Sequence, residues 1–315
     1  MISRRLIRIK VLQVLYAFYS SEDKSVNKSE KELFQSIQKT HELYHLLFLL
    51  LVEILKYAED RIEAAKNKKL PTYEDLHPNT RFIENKVLNQ LRRNKALDKF
   101  IRENKISWAG HDALVKKLYN TLKEEAFYKK YMEAPSTNYR TDRSVVVQLI
   151  THVIAREPLF HQTIEDMSIY WNNDFEHVAN MVIKTMDGMK ESDGEDKELM
   201  PLFKNEDDRD FAKNLFRKAL LNKDYFNQLI EKHAENWELE RIAFMDILIM
   251  HLAMAEMMEF ESIPVKVTLN EYIDIAKEYS TEKSGIFVNG ILDKAVVTMK
   301  NEGKIHKTGR GLIET

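Results

Sequence analysis

Apolar residues recur at helical spacing through Ile242, Met245, Leu248, Ile249, Leu252 and Ala255. That period predicts a core helix late in the chain. The Ser262-Ile263-Pro264 break ends it, because proline lacks a backbone donor and restricts the residue before it. Two further helical patterns follow, Asn270 to Tyr279 and Ile286 to Met299. Trp237 to Ala295 therefore reads as one compact helical unit.

The same period organises the rest. In Ser3 to Tyr19, Ile7, Val11, Val14 and Phe18 share one face, with Leu15 at its edge. Arg4, Arg5 and Arg8 fall on an adjacent sector, with Leu12, Tyr16 and Tyr19 in or beside it. Residues 21–66 read as one or two helices. NKKLPTYEDLHPNT, with Pro71 and Pro78, reads as a loop. Helical patterns then cover Arg81 to Glu103 and Asp112 to Met132, and another helix begins near Asp142 after EAPSTNYRTD. Asp187 to Asp208, with Glu191, Asp193, Glu195, Asp196 and Glu198, reads as a flexible acidic surface linker. It lacks the carboxylate spacing of a calcium loop.

One similarity is internal. Asp142 to Trp171 aligns without gaps to Asp208 to Trp237, with 8 of 30 columns identical. The shared residues include Asp142/Asp208, Leu149/Leu215, Phe160/Phe226, Ile164/Ile230 and Trp171/Trp237. This reads as one helix hairpin used twice, an aspartate capping each start and a tryptophan closing each end. HVANMVIKTM after Trp171 resembles a weak copy of the helix after Trp237, and Leu118-Tyr119 echoes Leu15-Tyr16. A decayed duplicate and chance helical similarity both stay open.

Composition sharpens this. Only 8 glycines and 6 prolines in 315 residues support a nearly all-helical chain. The absence of cysteine excludes disulfides, thiolate nucleophiles and Cys-bearing zinc sites, and suits a reducing cytoplasm. A net charge of −2 means that nucleic-acid binding requires a local basic patch. The longest apolar run, Leu46 to Val52, is too short to span a bilayer and is followed by Glu53 and Lys56. Arg8, Lys10 and Gln13 interrupt what would otherwise look like a signal peptide.

Three constellations invite chemistry. His41-Glu42-Leu43-Tyr44-His45 matches the H-E-x-x-H zinc pattern, but Phe48 and Leu51 stand where a metzincin needs glycine and histidine, and no recognisable motif surrounds Glu59 and Glu63. It reads as coincidence; no metal, cofactor or catalytic residue is expected, and the chain is not read as an enzyme. Arg92, Arg93 and Lys95 form a basic spot read as a solvated face. Arg4, Arg5 and Arg8, interleaved with tyrosines, suit RNA: cations neutralise phosphate and rings stack on unpaired bases. The plain alternative is an amphipathic helix with a solvated basic face.

The late unit carries Ile263-Pro264-Val265-Lys266-Val267, Leu269-Asn270-Glu271, Ala276-Lys277 and Phe287-Val288-Asn289-Gly290-Ile291-Leu292-Asp293. The opening helix carries Arg4-Arg5, Arg8, Gln13, Leu15 and Tyr16. On these two motifs the chain resembles the NusB family of transcription antitermination factors, over about residues 2–20 and 206–300. The resemblance implies an all-α, NusB-like helical bundle of two subdomains, elaborated by a large helical insertion. It implies binding to boxA RNA of nascent rRNA transcripts together with ribosomal protein NusE, in an RNA polymerase antitermination complex. The carried-over RNA-binding residues are Arg4, Arg5, Arg8, Tyr16 and Phe287. Lys283, where many members are acidic, is an additional phosphate candidate; Ile286 stands where many are basic or polar. Asn270, Glu271, Asn289 and Asp293 read as structural, with Gly290 allowing close backbone approach.

The expected organisation is an arginine-rich helix (1–24), a helical insertion (25–205) with acidic linker 187–207, the C-terminal domain (206–300) and a flexible basic tail (301–315). A cytoplasmic location, no membrane association and a possible homodimer complete the expectation. The rival readings are a protein-interaction scaffold or ribosome-biogenesis factor with weak or no RNA binding, and a helical zinc hydrolase built on His41 and His45.

Overall fold

A computed structural model describes residues 2–234 and 239–312. Trp237 lies outside the described residues. Within them the regular structure is helical, without a strand. Ser3 caps α1 (Arg4–Ser20) by accepting the Leu6 N–H. The next pattern resolves into a single helix, α2 (Val26–Lys66). The proline-bearing loop holds one short turn, α3 (Tyr73–Leu76). The pattern over 81–103 is split into α4 (Lys86–Arg92) and α5 (Lys95–Asn104), because Asn85 and Asn94 each cap a helix start. Next come α6 (Asp112–Glu124), α7 (Ala126–Glu133), α8 (Tyr139–Gln148), α9 (Pro158–Met167) and α10 (Phe175–Gly188). The chain ends with α11 (Glu206–Leu221), α12 (Lys223–His233), α13 (Phe244–Glu259), α14 (Val265–Tyr279) and α15 (Ser284–Asn301). Helix α14 starts five residues before the expected Asn270. Pro264 occupies its N-cap, where a missing N–H removes no intrahelical bond.

These helices form two compact units, Gln38–Leu202 and Ile2–Ile37 with Phe203–Thr315. Residues 25–37, expected in the insertion, join the second unit. Glu30 pairs with Arg217 at 2.6 Å and Lys213 at 3.7 Å, and Arg209 lies over the Phe34 ring. The tail expected to be flexible is tied down as far as it is described. Lys307 Nζ donates to Phe260 O and the Thr308 N–H to Glu261 O.

The core of the second unit is α13. Every residue from Asp246 to Met257 is buried, as expected of a helix that is apolar on nearly all sides. Around it pack α1, α11, α12, α14 and α15. In the first unit, α2 contributes Leu43, Leu46, Leu47, Leu50, Leu51 and Leu55, all buried. Trp108 Nε1 donates to Leu46 O and Trp171 Nε1 to Lys39 O.

The internal similarity has a structural counterpart. Shifted by 66 residues, α9 falls on 224–233, against Lys223–His233 for α12. Valine 145 and Phe211, Leu149 and Leu215, Phe160 and Phe226, and Ile164 and Ile230 are buried in register. The capping expectation is corrected: the caps are Asn138 and Asn205, and the aspartates lie inside the first turn. There each reaches the first residue of another helix. Asp142 accepts the Lys86 N–H at the start of α4, and Asp208 accepts Arg4 Nε at the start of α1, both at 2.9 Å. Four residues further, Arg8 bonds Glu256, while Gln90 bonds the carbonyl of Lys190, which is Glu256 shifted by 66.

Candidate nucleic-acid interface

Each cation at the start of α1 is oriented by acids from later helices. Arg4 is 38% exposed; its Nε binds Asp208 and its guanidinium lies 5.1 Å over the Phe211 ring. Arg5 is 30% exposed and faces three carboxylates of α14: Glu278 at 3.2 Å, Glu271 at 3.6 Å and Asp274 at 3.9 Å. These exposed pairs are individually weak and screened by salt. A phosphate can therefore compete for both guanidinium groups.

Arg8 corrects the wheel's solvated sector. Its side chain is 4% exposed, and Nε and a terminal nitrogen each bond Glu256 at 2.7 Å. Glu256 is fully buried, and also accepts from Thr268 Oγ1 at 2.9 Å and Tyr272 OH at 3.1 Å. Burial works against the Arg8 charge, but the hydrogen bonds and charge of Glu256 outweigh it and hold the guanidinium above its ordinary range. The same burial, with Glu256 beside it, raises the Tyr272 phenol well above its usual value. Arg8 therefore fastens α1 to α13 and α14. Glu256 escaped the sequence reading, although an acid within MHLAMAEMM is itself a signal: a carboxylate in an apolar run needs a buried partner.

The aromatic candidates separate. Tyr16 is exposed, three turns along α1 from Arg4, with its ring 5.7 Å from Phe244; Tyr19 meets Phe244 edge-on at 6.0 Å. Phe287 is partly exposed in the first turn of α15, and Lys283 occupies the exposed N-cap position. Ser284 Oγ donates to buried Asp246, fixing that helix start. Of the motif residues read as structural, Glu271 pairs with Arg5 and Arg8, whereas Asn270 and Asp293 are exposed. Gly290 is exposed, with nothing within 4 Å of where a Cβ would sit, so the expected close approach is absent.

The H-E-x-x-H histidines belong to an aromatic cluster of the first unit. His41 Nε2 donates to Met200 O, and His45 Nδ1 to His41 O. His45 stacks on Phe100 at 3.5 Å, and burial pushes its imidazole down to about 3. No group of three metal-ligating side chains occurs among the described residues. No described helix is long and apolar enough to cross a membrane.

Comparison with known proteins agrees with the motifs. The family model described as "NusB family" matches residues 177–296. The transcription antitermination protein NusB of Salinibacter ruber is 41% identical over 138 residues, 42% of this chain and 86% of that protein. Its namesake from Chloroherpeton thalassium is 45% identical over 34% of this chain and 50% of its own length. The Acetivibrio thermocellus protein of that name is 40% identical over 29% of this chain and 63% of its own. The solved T. maritima NusB is 26% identical, covering 51% of this chain and 92% of its own, at a TM-score of 0.28. With most of the Salinibacter protein matched at this identity, and both terminal motifs present, the chain belongs to the NusB family.

Proposed function

We propose that the protein is a transcription antitermination factor that binds boxA RNA of nascent rRNA transcripts together with ribosomal protein NusE. The observation that carries this reading is the pair of partly exposed guanidiniums, Arg4 and Arg5, in the first turn of a helix whose orientation Arg8 and Glu256 lock. In it, Arg4, Arg5 and Lys283 meet phosphates, Tyr16 and Phe287 meet bases, and Arg8 acts by positioning α1. The test is anisotropy with boxA RNA across a salt series. Arg4→Ala and Arg5→Ala are each expected to weaken binding several-fold and to flatten the log–log salt slope by about 0.7. Unchanged affinity in both variants rules out the site.

A second reading is a scaffold with weak or no RNA binding. It draws on the same residues: Asp208 and the three α14 carboxylates already balance Arg4 and Arg5. No measurable boxA binding, with or without NusE, would favour it. We further read Gln38–Leu202 as a degenerate copy of the second unit. The matched α9 and α12, the paired aspartates and the Gln90/Arg8 correspondence support that reading.

A further inference from the structure

The basic spot of the first unit is covered. Along it runs an acidic segment after α10, residues 189–197, and three cations on the helices each face an acid on that strap. Lys86 faces Glu191 at 2.8 Å, Arg93 faces Glu195 at 3.6 Å and Lys95 faces Asp196 at 2.7 Å. The strap's other carboxylate, Asp193, is taken up within the strap by Lys197 at 3.5 Å, so Glu191, Glu195 and Asp196 are the acids that meet the helices. All three cations are more than half exposed, so solvent and salt weaken the pairs.

The strap is also held by its backbone. Gln90 Nε2 donates to Lys190 O and Gly194 O, the Lys95 N–H to Glu195 O, and Asn94 Nδ2 to Lys197 O. Beside these contacts lies an open cleft of about 400 Å³, lined by Glu84, Lys86, Gln90, Arg93, Tyr139 and Glu191. It contains one aromatic ring, that of Tyr139, whose OH donates to Gln90 Oε1 at 2.5 Å.

We propose that Lys86, Arg93 and Lys95 form a second polyanion-binding face, for the phosphate backbone of a single-stranded polynucleotide, which the acidic strap keeps closed by occupying the phosphate positions. A run of carboxylates against these cations stands in for a phosphodiester chain in charge. The cavity beside Tyr139 gives a base an aromatic surface, which an acidic peptide would not need. The proposal concerns side chains of the first unit alone and stands apart from the α1 site.

The experiment is a double-mutant cycle on the full chain, read with fluorescein-labelled 12-nucleotide oligouridylate, its deoxythymidylate counterpart and a 12-residue polyglutamate. The first arm, Glu191→Gln/Glu195→Gln/Asp196→Asn, removes strap charge and keeps every backbone bond. It is expected to bind oligouridylate five- to tenfold more tightly and to steepen the salt slope by about 2, from three freed cations. Adding Lys86→Ala/Arg93→Ala/Lys95→Ala is expected to abolish the gain; the α1 site cancels in the cycle. The DNA arm decides which polynucleotide is preferred, and either preference supports the proposal. No gain in the first arm, a gain that survives loss of the cations, or an equal gain for polyglutamate overturns it. Should the charge variant not fold, hydrogen exchange on the unaltered chain decides. Oligouridylate is expected to lower protection across 189–197, and unchanged or higher protection there overturns the proposal.

Discussion

Arg8 and Glu256 are worth most as a pair. Each has its charge inside the protein, and each is made tolerable by the other and by the hydroxyls of Thr268 and Tyr272. Removing one member leaves a buried charge without its counterion, which costs about 3–5 kcal/mol. Arg8→Ala is therefore expected to lower unfolding free energy by that amount in denaturant titration. Adding Glu256→Gln to it should recover part of the loss, since the two sites are coupled. Arg4→Ala and Arg5→Ala should stay within about 1 kcal/mol of the parent, as partly exposed pairs do. The three arginines are alike in sequence and separate only when the partner helices are in place. RxxxR periodicity shows which side of α1 is cationic, but not that Glu256, 248 residues away, turns one of those cations inward.

At the scale of elements, local chemistry was mostly readable and long-range docking was not. The helical period of α13 and the proline break before α14 follow from side-chain and backbone preferences within a few residues, whereas the caps at Asn85 and Asn94, equally local, were passed over in the pattern read across 81–103. The docking of the 301–312 segment could not be read that way. It rests on two donors to the carbonyls of Phe260 and Glu261 and on one glycine. A Cβ at Gly311 would lie 1.8 Å from Glu261 O, against backbone that cannot swing aside. Gly311→Ala is expected to release the segment, costing about 1–3 kcal/mol in thermal unfolding and exposing residues after Asn301 to protease. Gly290→Ala is the contrasting case. Exposed within α15, with free space where a Cβ would sit, this glycine can be replaced so as to stabilise by up to about 1 kcal/mol.

At the scale of the whole molecule, each unit encloses a neutral histidine. His251 on α13 bonds Asn227 Oδ1 through Nε2, and burial, with Lys223 nearby, pushes it down to about 4. His45 lies against Phe100 in the other unit, at about 3. Both start from an ordinary value of 6.5. As pH falls below 6.5 the unfolded chain takes up protons that the folded one refuses. The stability associated with neutral His251 is full above 6.5 and declines until about pH 4. Its upper limit is about 3 kcal/mol. Melting curves between pH 7.5 and 4.5 should show this loss, and His251→Gln, which can still donate to Asn227, should remove its share and leave that of His45. The terminal motifs pointed to residues at both ends of the chain, and Ile2–Ile37 and Phe203–Thr315 do fall in one compact unit. The boundary near residue 37 was not visible in them, because the pairing of Glu30 with α11 joins positions 187 apart.

The link between Arg8 and Glu256 also sets an order of events on the ribosome. The first unit is one uninterrupted stretch of chain, and its core can assemble as soon as it emerges. The arginine helix is made before it, but α11, α13 and α14, which receive it, come roughly 200 residues later and beyond. At about 5–20 residues per second, α1 then spends roughly 10–50 s outside the exit tunnel with no partner for Leu6, Ile7, Ile9 and Leu12. The arginine helix is thus sticky and basic throughout that interval, which is when chaperones have the most to shield.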